Sequence, residues 1–171
     1  MKPEPESLAA LSAVVDHDLA ALRKMDELLE RSSQSLQSDA CEYRDLAATA
    51  YLLHNIYNAV ENSFQQISRT FENHVVDRAQ WHRELLDKMF LAIPAVRPCV
   101  LPESLRRLLN DLRGFRHLFR HSYDFELDRQ RLRQLVQDWR LGKAALFDAL
   151  TAFHRHLLVQ AGIGEEGSRP G

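Results

Sequence analysis

Glycine is scarce in this chain: six occur in 171 residues, and three of those fall in the last eight. The body therefore lacks the residue that tight turns and hairpins rely on, which argues against a sheet-rich fold. Cysteine is equally sparse. Cys41 and Cys99 stand far apart with no CxxC spacing, so neither a zinc site nor a disulfide framework is indicated. No apolar run is long enough for a membrane span, and Met1–Glu6 is rich in proline and charge with no apolar region behind it; a cytoplasmic location is expected. A large charge of one sign is missing too, the formal net charge being −2. Affinity for nucleic acid in general draws on many cations on one face, so any phosphate site here must be local. Dinucleotide-binding, P-loop and G-x-S-x-G patterns are also absent, and no cofactor is expected.

What is present is helix-forming. Leu, Ala, Arg, Glu and Gln are abundant and 45% of residues are hydrophobic, which predicts one all-α domain with a core of ordinary size. Ser7 is expected to cap a first helix to about Arg31, with Leu8, Leu11, Val14, Val15, Leu19, Leu22, Met25 and Leu29 on one face. Residues 32–38 read as a loop, and a second helix follows over about Cys41–His74. At about 1.5 Å per residue the second is about 45 Å long or more, so a kink or a projecting end is expected. Asp77 is placed as the cap of a third helix to about Leu91, stopped by Pro94 and Pro98. Pro102 and Glu103 open a fourth to about Ser122, and a fifth ends near Ala161 with Gly142 as a soft spot. The expectation is a bundle of about five helices with antiparallel neighbours over residues 1–161 and a disordered tail over 162–171. Long amphipathic helices in so short a chain leave apolar surface over, which a second copy would cover.

The stretch Leu105–Tyr123 carries the chemistry. Leu105, Leu108, Leu109, Leu112, Phe115 and Phe119 share one helical stripe, and Arg116 projects inside it. A guanidinium in that place needs a paired acid such as Glu61, a subunit boundary, or a reaction that uses a fixed positive charge. His121 lies five residues on and Tyr123 two further. Histidine can move a proton near neutral pH and arginine can hold phosphate oxygens through two parallel hydrogen bonds, the parts needed to cut an RNA phosphodiester without metal. In a regular helix five steps separate the two side chains by roughly 140°, so either the helix ends or bends before His121 or a second subunit completes the site. Arg113, His117 and Arg120 are candidate RNA contacts, and Arg106 and Arg107 would lengthen the basic strip, which otherwise reads as a solvated face. Arg129, Arg131 and Arg133 could face the same cleft. His117 and His121 have the i, i+4 spacing of a metal pair, but no cluster accompanies them and no metal site is expected. His154 and His156 read as solvated residues near a helix end.

The series Arg116-x-x-x-x-His121-x-Tyr123 near the end of the penultimate long helix resembles the signature of the HEPN superfamily, in particular its HepT-like toxins. Y-N-A-V-E-N over Tyr57–Asn62 and W-H-R-E-L-L from Trp81 are similar in character, and the resemblance covers roughly residues 8–160. It implies a HEPN-type bundle that dimerises so that two motif copies face a shared cleft, and a metal-independent endoribonuclease toxin. It also implies a nucleotidyltransferase antitoxin (MNT type) that neutralises the toxin by AMPylation. Carried over, Arg116 and His121 would be the catalytic pair and Tyr123 the modified residue, whose added phosphate would occupy the place of the scissile one. One departure stands out: the residue after the motif arginine is often a polar amide, and here it is His117. A reading of a different class is a non-catalytic helical subunit that binds or positions a partner nucleotidyltransferase's substrate.

Overall fold

The structure, a computed structural model, describes residues 3–72, 81–121 and 126–163. Among them are five α-helices: α1 (Pro5–Ser32), α2 (Tyr43–Glu72), α3 (Trp81–Met89), α4 (Arg106–His121) and α5 (Arg129–Gln160), with 3-10 turns at Ser33–Gln37 and Glu103–Leu105. The expected His74 end, the Asp77 cap, Ser122, Tyr123 and the tail beyond Ile163 lie outside the described residues. The cap of the first helix and the stretch that follows it need correction. The first helix begins at Pro5 and its cap position is Glu4, whose side chain makes no capping bond; Ser7 is an exposed residue within it. Proline fixes its own φ near the helical value and has no N–H to satisfy, so the helix can begin earlier and without Ser7. Residues 33–37, read as loop, wind into a 3-10 turn held by the Leu36 side chain, which is buried at 1% exposure. At the other end Asp128 caps α5, accepting from the Gln130 backbone N–H at 2.8 Å.

α2 is the hub, touching all four other helices. Ala50, Leu53, Ile56, Tyr57, Val60, Phe64, Ile67 and Phe71 keep helical phase along it and are all buried. It runs uninterrupted for 30 residues, and α1 and α5, of 28 and 32 residues, give it neighbours of matching length. Side-chain pairs fix the directions. Arg23 lies over Phe147, Lys143 reaches Asp26 and Arg140 reaches Glu30, so α5 runs opposite to α1. His54 meets Phe119 while Glu61 meets Arg116, so α4 runs opposite to α2. Gly142 is no soft spot: α5 continues through it, and a Cβ there would sit 2.5 Å from the Leu108 Cδ2, so this glycine lets α5 and α4 approach.

Polar contacts tie the apolar layers together. Asp18, 5% exposed, accepts from Asn62 Nδ2 at 2.9 Å and from Ser63 Oγ at 2.7 Å, joining α1 to α2. The Arg97 side chain is fully buried under the α3–α4 connection, donating to Glu72 Oε1 at 3.1 and 2.7 Å and to the carbonyls of Lys88, Leu91 and Pro98. Ala95, in the left-handed region at φ 63°, makes the reversal that pairs Ile93 with Arg97. This knot anchors the chain between α3 and α4, the two helices that flank the candidate site.

Candidate functional site

α4 stays helical through His121, so the bend that would bring Arg116 and His121 together within one chain does not occur. Arg116 turns inward and His121 is exposed. The inward face of α4 meets a stripe of α2 formed by His54, Tyr57, Asn58 and Glu61, spaced at i, i+3, i+4 and i+7. Arg116, 12% exposed, donates through Nη2 to Glu61 Oε2 at 3.1 Å and through Nε to Asn58 Oδ1 at 2.5 Å. Its guanidinium carbon lies 6.0 Å from the centre of the Tyr57 ring. The Glu61 carboxylate, 3% exposed, shares its second oxygen with α3: His82 Nδ1 stands 2.6 Å from Glu61 Oε1. A buried carboxylate would be costly alone, and here an arginine and an imidazole compensate it on its two oxygens.

The hydrogen bonds assign the neighbours' roles. Because Asn58 accepts from Arg116 through its oxygen, its amide nitrogen is the donor to His54 Nε2 at 2.9 Å. His54 must then be neutral with its proton on Nδ1. Burial, and after it the charges of Arg116 and Arg120, hold that imidazole below its usual range, in agreement. Burial and then the Glu61 charge push the Tyr57 phenol upward, and its hydroxyl is buried without a partner among the described residues.

Beside this network lies an open groove of about 910 Å³, lined by His82 and Arg83 of α3, by Arg113, Arg116 and His117 of α4, and by Arg131 of α5 among others. Arg113 donates to Asn110 Oδ1 at 3.1 Å, and its Nε is buried without a partner among the described residues. His117 is exposed and its ring lies 4.9 Å from that of His121. His121 is not among the described lining residues, and Arg120 is exposed outside it. The basic strip is shorter than the sequence suggests: Arg106 is spent on Asp87 and Glu103 and lies over the Phe90 ring, and Arg107 stands beside Asp111. Of the three arginines that begin α5, Arg131 reaches the groove, whereas Arg129 donates to the carbonyls of Leu36 and Ser38 and Arg133 lines a different hollow. His154 and His156 are half-buried rather than solvated, and His156 Nε2 is fully enclosed.

A family model described as HepT-like protein matches residues 48–170. The chain belongs to the HepT-like family. The match takes in the whole site, from His54 on α2 to His121 on α4, and the five-helix bundle is consistent with a HEPN-type fold. No curated protein and no solved structure matches the chain. No group of three His, Cys, Asp or Glu side chains that could hold a metal ion occurs among the described residues of this HepT-like chain, and none of its described helices is long and apolar enough to cross a membrane. Sequence reasoning had singled out Arg116 with Glu61 as a possible partner; it missed His54, Asn58 and His82. The available signal was the polar stripe at helical spacing on α2 for His54 and Asn58, and for His82 its place in the W-H-R-E-L-L segment that resembled the family.

Proposed function

We propose that this HepT-like chain is the toxin of a toxin–antitoxin pair, a metal-independent endoribonuclease that works as a homodimer. Family membership supports such a role in general terms. The observation that carries the finer reading is the half-committed guanidinium of Arg116. Its Nε and one Nη2 proton are taken by Asn58 and Glu61, which locks the plane of the fork, and its remaining N–H groups are the donors offered to a phosphate at the groove that Arg116 lines. Held this way, the charge needs no reorganisation when negative charge builds on phosphorus. His121 is the second member of the catalytic pair. It diverges from Arg116 on its own α4, so the imidazole that acts beside a given Arg116 comes from the second copy. Leu118, 49% exposed on the groove rim, offers apolar surface for that copy to cover. Arg113, His117 and Arg120 bind flanking phosphates, and a nucleotidyltransferase antitoxin silences the site by AMPylation of Tyr123.

The purified chain is expected to cleave RNA in excess EDTA, and Arg116→Ala and His121→Ala each to abolish both cleavage and growth arrest on expression. A clean preparation that never cuts RNA, from a gene that is harmless when expressed alone, overturns this reading. A mass increase of one AMP on the Tyr123 peptide after co-expression with the antitoxin tests the control step. The Arg116–Glu61 ion pair favours a second reading, a non-catalytic subunit in which Arg116 is structural. Co-purification with a nucleotidyltransferase without toxicity would support that one.

A further inference from the structure

Within one chain, the imidazole bound to the same carboxylate as Arg116 is that of His82, not His121. Glu61 Oε2 takes Arg116 at 3.1 Å and Glu61 Oε1 takes His82 Nδ1 at 2.6 Å, so the two side chains are clamped to one carboxylate and both line the groove. The His82 side chain is 35% exposed, while its carboxylate partner is 3% exposed. With Nδ1 donating to a buried carboxylate, Nε2 carries the free lone pair, and the carboxylate stabilises the imidazolium formed when that nitrogen takes a proton. The Trp81 ring, 4.0 Å from the imidazole, restricts its rotation. Among the described lining residues are Arg83, Arg113, Arg116 and Arg131 with Asp128. Arg83, Arg116 and Arg131 also face Asp87, Glu61 and Asp111, while Arg113 has no acid partner among the described residues, so the groove keeps cationic groups for a phosphodiester.

We propose that His82 is a catalytic residue of this site, the general base for RNA cleavage. The assignment rests on the ribonuclease reading above. His82 Nε2 takes the proton of the ribose 2′-hydroxyl, whose oxygen forms a bond to phosphorus. The bond from phosphorus to the 5′-oxygen breaks, and that oxygen leaves with a proton from His121 of the second copy. The products are a 2′,3′-cyclic phosphate and a 5′-hydroxyl, with no further reactant required.

The test compares the full-length native chain, His82→Asn and His121→Ala on an RNA oligonucleotide. Asparagine retains an N–H for Glu61, so the Arg116 clamp survives while the base is lost. Cleavage by His82→Asn is expected to fall about 10²–10⁴-fold, with affinity for a non-cleavable 2′-fluoro oligonucleotide kept within about threefold. A substrate with sulfur in place of the bridging 5′-oxygen, whose leaving group needs no proton, restores His121→Ala but leaves His82→Asn slow. Cleavage by His82→Asn within about threefold of native, a parallel loss of binding, or rescue by the sulfur substrate each overturns the proposal. Should the variant fold poorly, the native chain decides: the His82 ring resonances move on titration with a 2′-fluoro dinucleotide, and unmoved resonances refute the assignment. A native chain that cuts no RNA refutes the ribonuclease reading and this one together, whereas a native chain that cuts as fast as His82→Asn refutes only the role of His82.

Discussion

At the residue scale, the central fact is that Arg116 and Glu61 are mutually necessary inside a nearly dry contact between α2 and α4. Removing one partner of an isolated buried pair costs about 3–5 kcal/mol because the other charge is left uncompensated, but here His82 still faces Glu61 on its other oxygen. Arg116→Ala is therefore expected to lower stability by less than that, about 1–3 kcal/mol, measured by denaturant unfolding, in addition to abolishing cleavage. Arg116→Lys separates the two effects. It keeps the charge, so most of the stability should return, but it cannot donate to Asn58, Glu61 and a phosphate from one rigid plane, so cleavage should stay lost. Recovery of activity with lysine would mean that charge alone suffices. Arg116 stood out in the sequence because a cation interrupts an apolar stripe, and Glu61 could be named as a possible acid partner; Asn58 and His82 could not, since they read as ordinary helix residues until α2, α3 and α4 are laid together.

At the element scale, the long helices follow from periodicity, and their crossings follow from particular small or polar residues. Gly142 illustrates the difference. Glycine inside a helix costs roughly 1 kcal/mol against alanine, which is why the sequence suggested weakness there. The close approach of Leu108 reverses that inference: the missing Cβ is what α4 occupies. Gly142→Ala should change little, its helix gain offset by displacement of the flexible Leu108 tip, whereas Gly142→Ile should destabilise by about 1–3 kcal/mol through overpacking. Thermal melts of the two variants check this, and equal tolerance of both would show that α4 and α5 can part without loss. Because α4 carries Arg116, the isoleucine variant should lose activity along with packing.

At the scale of the whole molecule, acid should loosen the bundle in two stages. The His54 imidazole is held below its usual range by burial and then by Arg116 and Arg120. Burial alone would raise the Glu72 carboxyl, but hydrogen bonds from Arg97 and Lys88 outweigh it and hold it below the usual carboxylate range. In both cases the unfolded chain takes up the proton first, so stability is fully present above the unfolded value and is lost as pH falls through the folded one. Melting temperatures are expected to decline below about pH 6.5 as His54 contributes, and more steeply below about pH 4.5 as Glu72 does. A flat profile from neutral to about pH 5 would show that His54 stays accessible to protons in the fold. The sequence by itself determined the helical class, the approximate span of each long helix and the placing of Arg116 on an inward face, because composition and period act locally along the chain. Glu61 could be named beforehand as a possible partner of that arginine, but the full set of groups around it was decided only in three dimensions. Glu61, Asn58 and His82 come from two other helices, and a hydrogen bond between residues 58 positions apart leaves no mark on spacing along the sequence. The unbroken course of α4 to His121 was settled there as well, since only packing against α2 and α5 determines whether a helix continues for one more turn.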